Sequence, residues 1–398
     1  MTTTVYIAKN VYGGDGLGRL GDGRVVFVPG AFAGESVKAE IVEEKKNFVK
    51  ARLVEIVDPS PDRIEPGVVV PGMVYASISR EAELAAKGAQ LKEALERARL
   101  YSGPINLASA GEPLNYRNKA IYHFGKTPKS NEWLMGYYNE LSHDIIDIKE
   151  DPLAVKEINA KLPEIRRNML SLVMNGSSVV KRSVLAQPVV TVRYSKRSGV
   201  RWFFGKCNDT VPVQEFTCGK VFEVPLDGFY QINPEIGEAL VKNVVDEYSR
   251  NHTDYLVDFY CGVGVFALSC AKAPYKGAVG VESGRQAVEF AKKNAASQGV
   301  ANARFFSDDV SRAIRRTKLT PSTTVIVDPP RAGMENSAAQ YLARSNARRI
   351  IYVSCDVATM VRDLRILSQR FSVADVRWLD MFPRTAKFES LVVLERKN

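Results

Sequence analysis

Apolar and polar positions alternate through the first sixty residues. Val25-Val26-Phe27-Val28 runs into Pro29-Gly30, residues 36–42 alternate with period two, and residues 51–57 do so again. Glycines at positions 13, 14, 16, 18, 21 and 23 supply turns between these runs. The pattern predicts a small antiparallel barrel, a shape that often binds oligonucleotides. Asp58-Pro59-Ser60-Pro61 ends it as a linker. A helix is expected over 81–101, with Leu84, Leu91, Leu95 and Ala98 on one face. Residues 102–230 are irregular, with strand-like runs at 189–194, 201–204 and 211–216, and read as a mixed middle domain. From residue 254 strands and helices alternate. Strands at 255–258, 277–281, 304–306, 323–327, 349–353, 373–379 and 391–396 are interleaved with helices at 265–273, 284–298, 335–345 and 357–369. Such alternation predicts an α/β domain, a parallel sheet wound with helices on both faces.

A chain of 398 residues is long for one core and suggests two or three domains. No apolar run reaches the roughly 18 residues that cross a bilayer. The N-terminus lacks a basic flank followed by an apolar core, so no membrane partner and a cytoplasmic location are expected. The net charge of +10 makes a polyanion a plausible partner. Residues 1–62 hold 8 basic and 9 acidic residues, so the excess lies further along, in clusters such as Arg312/Arg315/Arg316/Lys318 and Arg344/Arg348/Arg349. Taken singly, each cluster fits a solvated helix face. Five cysteines, an odd number without close pairing, fit a reduced protein better than a disulfide scaffold. Three well-separated histidines give no basis for a His-based zinc site, and no metal is expected.

Four short segments carry candidate chemistry. In Val257-Asp258-Phe259-Tyr260-Cys261-Gly262-Val263-Gly264 a strand ends in an acid, and the glycines let backbone approach a ligand at the strand's carboxyl end. The next strand ends at Glu282, placed for ribose hydroxyls. The spacing is not Gly-x-Gly-x-x-Gly, which favours S-adenosylmethionine over NAD. Asp328-Pro329-Pro330-Arg331 follows another strand, its prolines stiffening the loop. In Tyr352-Val353-Ser354-Cys355-Asp356 the cysteine opens onto a helix N-terminus, whose partial positive charge favours thiolate. In the fourth segment Glu389 precedes the apolar strand Leu391-Val392-Val393-Leu394. Alone, each fits a bland role: a generic turn, a proline-ended strand, a buried cysteine, a surface glutamate.

Together, in this order and spacing, the four segments resemble the RNA uracil-5 methyltransferase family, whose members act on tRNA or large-subunit rRNA. Phe229-Tyr230-Gln231-Ile232-Asn233, Tyr116-Arg117-Asn118-Lys119, and Gly136-Tyr137-Tyr138 followed by Ser142-His143 and Asp147-Ile148 belong to the same likeness, which covers nearly the whole chain. The resemblance implies three domains. Residues 1–60 would form a TRAM barrel, an RNA-binding OB-type fold. Residues 61–230 would form an α+β middle domain, with helix 81–101 packing on the catalytic domain. Residues 231–398 would form a class I Rossmann-like methyltransferase domain. It further implies S-adenosylmethionine bound by Gln231, Tyr260, Gly262, Gly264, Glu282, Asp309 and Asp328. Gln231, Asp328 and Arg331 would meet the target base, Cys355 would be the nucleophile and Glu389 the general base. The expected partner is RNA, met by a monomer.

The chain departs from the family pattern in places. Many members hold an iron–sulfur cluster on four cysteines, three of them just after the barrel. Here residues 70–76 contain none, and Asp151 stands at the fourth position, so no cluster is expected. Val265 and Asp356 replace asparagines, and Lys387 stands where a histidine is frequent. Ribosomal RNA is the first expectation, because the TRAM domain is more typical of rRNA-modifying relatives, and tRNA is second. The rivals from other classes are a catalytically silent RNA-binding protein or chaperone, and a DNA or small-molecule methyltransferase on the same fold.

Overall fold

The structure is a computed structural model, and it describes residues 2–127, 131–139, 142, 144–271 and 275–397, with side chains omitted at 178–181. His143 and the end of the expected helix 265–273 therefore lie outside the described residues.

The N-terminal alternation folds into a closed barrel of β1 (Thr2–Asn10), β2 (Gly16–Arg19), β3 (Val25–Val28), β4 (Ser36–Glu44) and β5 (Phe48–Asp58), antiparallel as expected except that β3 and β5 close it in parallel. The inward set Val5, Ile7, Val26, Val28, Val37, Ala39, Val49 and Ala51 fills it. Helix α1 (Arg80–Arg97) follows. Ser79 caps it, accepting from the Ala82 amide at 3.2 Å, and Glu81 and Glu83 face its positive end. It stops four residues short of the sequence expectation.

Strand β6 (Ile105–Ala110) lies in the stretch assigned to the middle domain, yet it becomes the far edge of the large C-terminal sheet. The middle sheet is formed by β7 (Lys119–Lys126), β8 (Trp133–Tyr138), β9 (Ile145–Asp147), β10 (Val189–Ser195) and β11 (Gly199–Phe204). Two helices, α2 (Lys156–Asn175) and α3 (Ser178–Ala186), come from the region read as irregular. In α2 the residues Ile158, Leu162, Ile165, Met169 and Val173 form one buried face despite an internal Pro163. A hairpin of β12 (Val213–Thr217) and β13 (Lys220–Val224) leads to α4 (Pro234–Arg250), capped by Asn233 with proline in its first turn.

The C-terminal domain alternates β14 (Tyr255–Phe259), α5 (Val265–Cys270), β15 (Gly277–Glu282), α6 (Arg285–Ser297), β16 (Ala303–Ser307), α7 (Val310–Arg316), β17 (Thr323–Val327), α8 (Asn336–Arg344), β18 (Arg349–Ser354), α9 (Val357–Leu367), β19 (Phe371–Asp380) and β20 (Glu389–Arg396). The sheet order is β16-β15-β14-β17-β18-β20-β19-β6, parallel from β16 to β18 and antiparallel at β20. The chain leaves β14 to one side and later returns to its other side as β17. That reversal opens a crevice at the carboxyl ends of these strands, where α/β sheets bind ligands. Among the described residues no helix is long and apolar enough to cross a membrane.

Candidate active site

Strand register brings the candidate residues to one edge. Phe259 pairs with Val281 on one side and Val327 on the other, so Tyr260, Glu282 and Asp328 are the next residues of three adjacent strands. Ser354 pairs with Ser390 across the antiparallel β18–β20 ladder, and Cys355 and Glu389 lie one step beyond that pair. This edge opens onto a cavity of about 620 Å3, mouth included, bounded on the other side by β12 and α4.

Gln231, Tyr260, Gly262 and Asp328 line that cavity, together with Phe216, Thr217, Phe229 and Tyr230. Its wall from β12 and its floor beside α4 were not read from the sequence as site residues. The alternation Val213-Gln214-Glu215-Phe216-Thr217 was the available signal for the strand, but nothing local says that it faces a crevice. Tyr260 adopts a left-handed backbone, φ 66°, uncommon for a side chain that is not glycine, and turns the strand end into the loop. Gly264 has φ 86°, and a Cβ there would sit 3.0 Å from the Phe305 ring. Gly264 is thus a hinge of the loop and does not line the cavity.

Glu282 stands beside the cavity, its carboxylate accepting from the Gly262 amide at 3.4 Å and the Gly284 amide at 2.8 Å. Asp309 lies further out as the cap of α7, accepting from Ser311 Oγ at 2.6 Å and the Arg312 amide at 2.9 Å, which hold its carboxyl below the usual range. Asp258 is buried beneath the loop, accepting from the Ala267 amide at 3.1 Å, and burial pushes its pKa up to about 8. These residues fit a nucleoside donor. The cavity is lined by apolar rings and a few polar groups, with an acidic side chain one strand away.

The second half of the site is electrostatic. Glu389 is buried, and its Oε2 has no hydrogen-bond partner among the described residues. Burial raises its pKa well above the ordinary value; Asp328 adds to this and Arg331 opposes it. Burial pushes Asp328 up to about 7. Cys355 is half-buried, and its thiol is pushed up to about 11 by burial, then by Glu389 and Asp328, with exposed Arg331 opposing. Cys355, Glu389, Asp328 and Arg331 therefore act on one another as one cluster, adjoining the cavity through Asp328.

The sign at Cys355 corrects the expectation of a thiolate favoured by the helix N-terminus. The carboxylate of Asp356 caps α9, accepting from the Ala358 and Thr359 amides at 3.1 and 3.2 Å. Burial opposes the thiolate, and the Glu389 and Asp328 carboxylates repel it.

The positions expected to lack cluster cysteines are otherwise engaged. Val70, Met73 and Ala76 pack with Tyr116, Ile148 and Leu153 in an apolar core. Asp151 accepts from Tyr122 and Tyr137. Among the described residues no group of three His, Cys, Asp or Glu could hold a metal ion. The residues present do not fit an iron–sulfur cluster.

Comparison with known proteins agrees with this geometry. The sequence model of the tRNA (Uracil-5-)-methyltransferase family matches residues 206–397, and that of the TRAM domain matches residues 2–54. The chain is 28% identical to the 23S rRNA (uracil(1939)-C(5))-methyltransferase RlmD of Pectobacterium atrosepticum, over 98% of this chain and 93% of the relative. It is 27% identical to the tRNA (uracil(54)-C(5))-methyltransferase of Schizosaccharomyces pombe, over 96% of this chain and 76% of the relative. Its fold resembles that of the Pyrococcus abyssi tRNA (uracil-54, C5)-methyltransferase, solved with S-adenosyl-L-homocysteine, with a TM-score of 0.74 over 98% of this chain and all of the other, at 22% identity. The chain belongs to the RNA uracil-5 methyltransferase family and carries a TRAM domain at its N-terminus.

Proposed function

We propose that this protein methylates carbon 5 of a uridine in large-subunit ribosomal RNA through a covalent adduct with Cys355. The observation that carries the reading is the juxtaposition of Cys355 with Glu389 across β18 and β20, the carboxylate keeping one oxygen unpartnered among the described residues. The family's donor is S-adenosylmethionine, for which Gln231, Tyr260, Gly262, Glu282 and Asp328 supply the binding wall, with Asp309 at its rim, and when bound it provides an electrophilic methyl.

Carbon 5 of uracil is a weak nucleophile. The Cys355 sulfur, having lost its proton to solvent, bonds carbon 6. The pair of the 5,6 double bond then moves onto carbon 5 and its enolate oxygen, and carbon 5 takes the methyl as the bond between that methyl and the donor's sulfonium sulfur breaks, leaving the thioether S-adenosylhomocysteine. Carbon 5 now carries both hydrogen and methyl. Glu389 removes that hydrogen as a proton, the double bond re-forms, and the carbon–sulfur bond breaks to return the thiolate. A carboxylate whose pKa is raised by burial and by Asp328 is a stronger base than an exposed one, which suits this step. Arg331 offsets the charge of the pair. The base must leave its stack to reach Cys355, at a cost of a few kcal/mol.

Ribosomal RNA is preferred because the chain spans nearly the whole length of the RlmD relative, barrel included. The tRNA reading rests on the S. pombe relative and is the second choice. Mapping 5-methyluridine in rRNA and tRNA from a strain lacking this gene tests both. The expected result is loss at a large-subunit uridine. Loss confined to tRNA would replace the substrate, and no loss in either would overturn the reading.

A further inference from the structure

The two departures next to the reactive residues meet in space. Lys387 Nζ lies 2.8 Å from Asp356 Oδ2, although 31 residues separate them. Between them sits the hydroxyl of Tyr12, from the turn joining β1 to β2 of the barrel. It accepts from Lys387 Nζ at 3.0 Å and from the Val357 amide at 3.3 Å, and donates to Asp356 Oδ2 at 3.3 Å. One donor and two acceptors exhaust what a hydroxyl can do. The Tyr12 ring lies 4.6 Å beneath the Lys387 ammonium and meets the edge of Phe388 at 6.0 Å. Asp356 follows Cys355, and Lys387 and Phe388 precede Glu389.

The turn that carries Tyr12 is itself fixed. Lys9 pairs with Glu93 of α1 at 2.6 Å, and Gln90 of α1 donates to the Asn10 carbonyl at 3.3 Å. Asn10 donates in turn to the carbonyls of Gly14 and Ala31, both at 3.0 Å. Helix α1 also holds the segment leading to Glu389. Buried Lys87 bonds Glu83 and Asp380, both at 2.7 Å, and Glu83 accepts from the Arg384 amide at 2.7 Å.

We infer that Tyr12 of the RNA-binding barrel is a positioning residue for the catalytic pair: with Lys387 it neutralises and orients Asp356, the acidic neighbour of Cys355, so that the barrel forms part of the active site's electrostatics. This rests on the roles proposed above for Cys355 and Glu389. The charged groups facing the thiol are Glu389 from β20, Asp328 and Arg331 from the end of β17, and Asp356 from the start of α9. Three of the four are acidic, and Asp356 alone is paired with a lysine. Against the effect of burial, the Lys387 ammonium and the helix amides hold the Asp356 carboxyl below its usual range. Without Lys387, its full charge would act on a thiol already repelled by two other carboxylates.

The test uses the full-length protein, radiolabelled S-adenosylmethionine and an unmodified 23S rRNA or tRNA transcript, whichever the wild type methylates. Single-turnover rates at saturating RNA are followed from neutral to alkaline pH, with RNA affinity and melting temperature measured alongside. Lys387→Met should move the rising limb of the profile to higher pH by about one unit, close to tenfold in rate at fixed pH. Lys387→Arg should keep the wild-type limb. Asp356→Asn, which still caps a helix, should move the limb to lower pH, alone or added to Lys387→Met. Tyr12→Phe keeps the ring and should lower the saturated rate by roughly three- to tenfold, the effect of about one hydrogen bond, with RNA affinity within about twofold. An unshifted limb in both Lys387→Met and Asp356→Asn overturns the proposal. So does an unchanged saturated rate in Tyr12→Phe, with or without loss of RNA affinity. If Cys355→Ala retains turnover, the adduct reading itself fails; if it is dead while these limbs stay still, only the present inference does.

Discussion

Among the buried carboxylates, Asp151 and Glu389 are held in opposite ways. Asp151, under the middle sheet, is saturated: Tyr122 and Tyr137 donate to one oxygen at 3.1 and 2.8 Å, and the Leu153 amide donates to the other at 2.9 Å. Glu389, at the edge of the catalytic sheet, is equally hidden but leaves Oε2 without a partner among the described residues and faces a second carboxylate. Leaving a buried acceptor unmade costs about 1–3 kcal/mol, more for a charge, and a fold tolerates it where the vacant oxygen has work to do. The first site reads as structure and the second as chemistry, and burial alone does not separate them.

The largest effect is expected at the thiol. Cys355→Ala removes the group placed to bond carbon 6, and methylation should fall to background while RNA still binds; turnover near the wild-type rate would end the covalent route. Glu389→Gln keeps the side chain's shape but cannot take the proton from carbon 5. Turnover should drop on the order of 1,000-fold, within the range that general base catalysis supplies. A denaturation-resistant protein–RNA complex should accumulate, visible as a shifted band. Slow turnover by Glu389→Gln with no adduct would move the base elsewhere.

Asp328→Asn sharpens the contrast through pH. The Asp328 carboxylate, with its own pKa pushed up to about 7, raises both Glu389 and Cys355. Removing its charge lets both groups ionise at lower pH. The acid limb of the single-turnover profile should therefore move downward, even though a lost wall contact lowers the plateau, on the order of 100-fold. A limb that stays in place would mean that the two carboxylates do not share a field.

Much of this site was legible because its parts are local. Strand ends followed by glycine, by Asp328-Pro329-Pro330 or by Cys355-Asp356 announce a sheet edge in a few consecutive residues, and the register then aligns them without further information. What was not legible depends on distant chain. Strand β6 joins the sheet beside β19, far away in sequence. The apolar face of α2 was present in the sequence, in a stretch read as irregular. The Cys355 shift comes first from burial and then from carboxylates on other elements, whereas the sequence displayed only the helix that follows it. Asp356 and Lys387 looked like unrelated departures until the fold paired them, with a tyrosine that no motif singles out.

The smallest effect on chemistry, and the hardest test of the contrast, belongs to Asp151. Asp151→Ala strips the acceptor from two tyrosine hydroxyls and an amide, in a region where the Tyr122 and Tyr137 rings stand 5.3 Å apart with little room to turn. Unmaking such bonds should destabilise the protein by about 3 kcal/mol, read as a lower melting temperature. Yet no atom of Asp151 belongs to the donor cavity or to the cluster around Cys355. At a temperature where the variant stays folded, the single-turnover rate and its pH limb should match the wild type within about twofold. A variant that melts normally, or that methylates slowly while fully folded, would show that satisfaction of a buried carboxylate does not distinguish scaffold from site in this molecule.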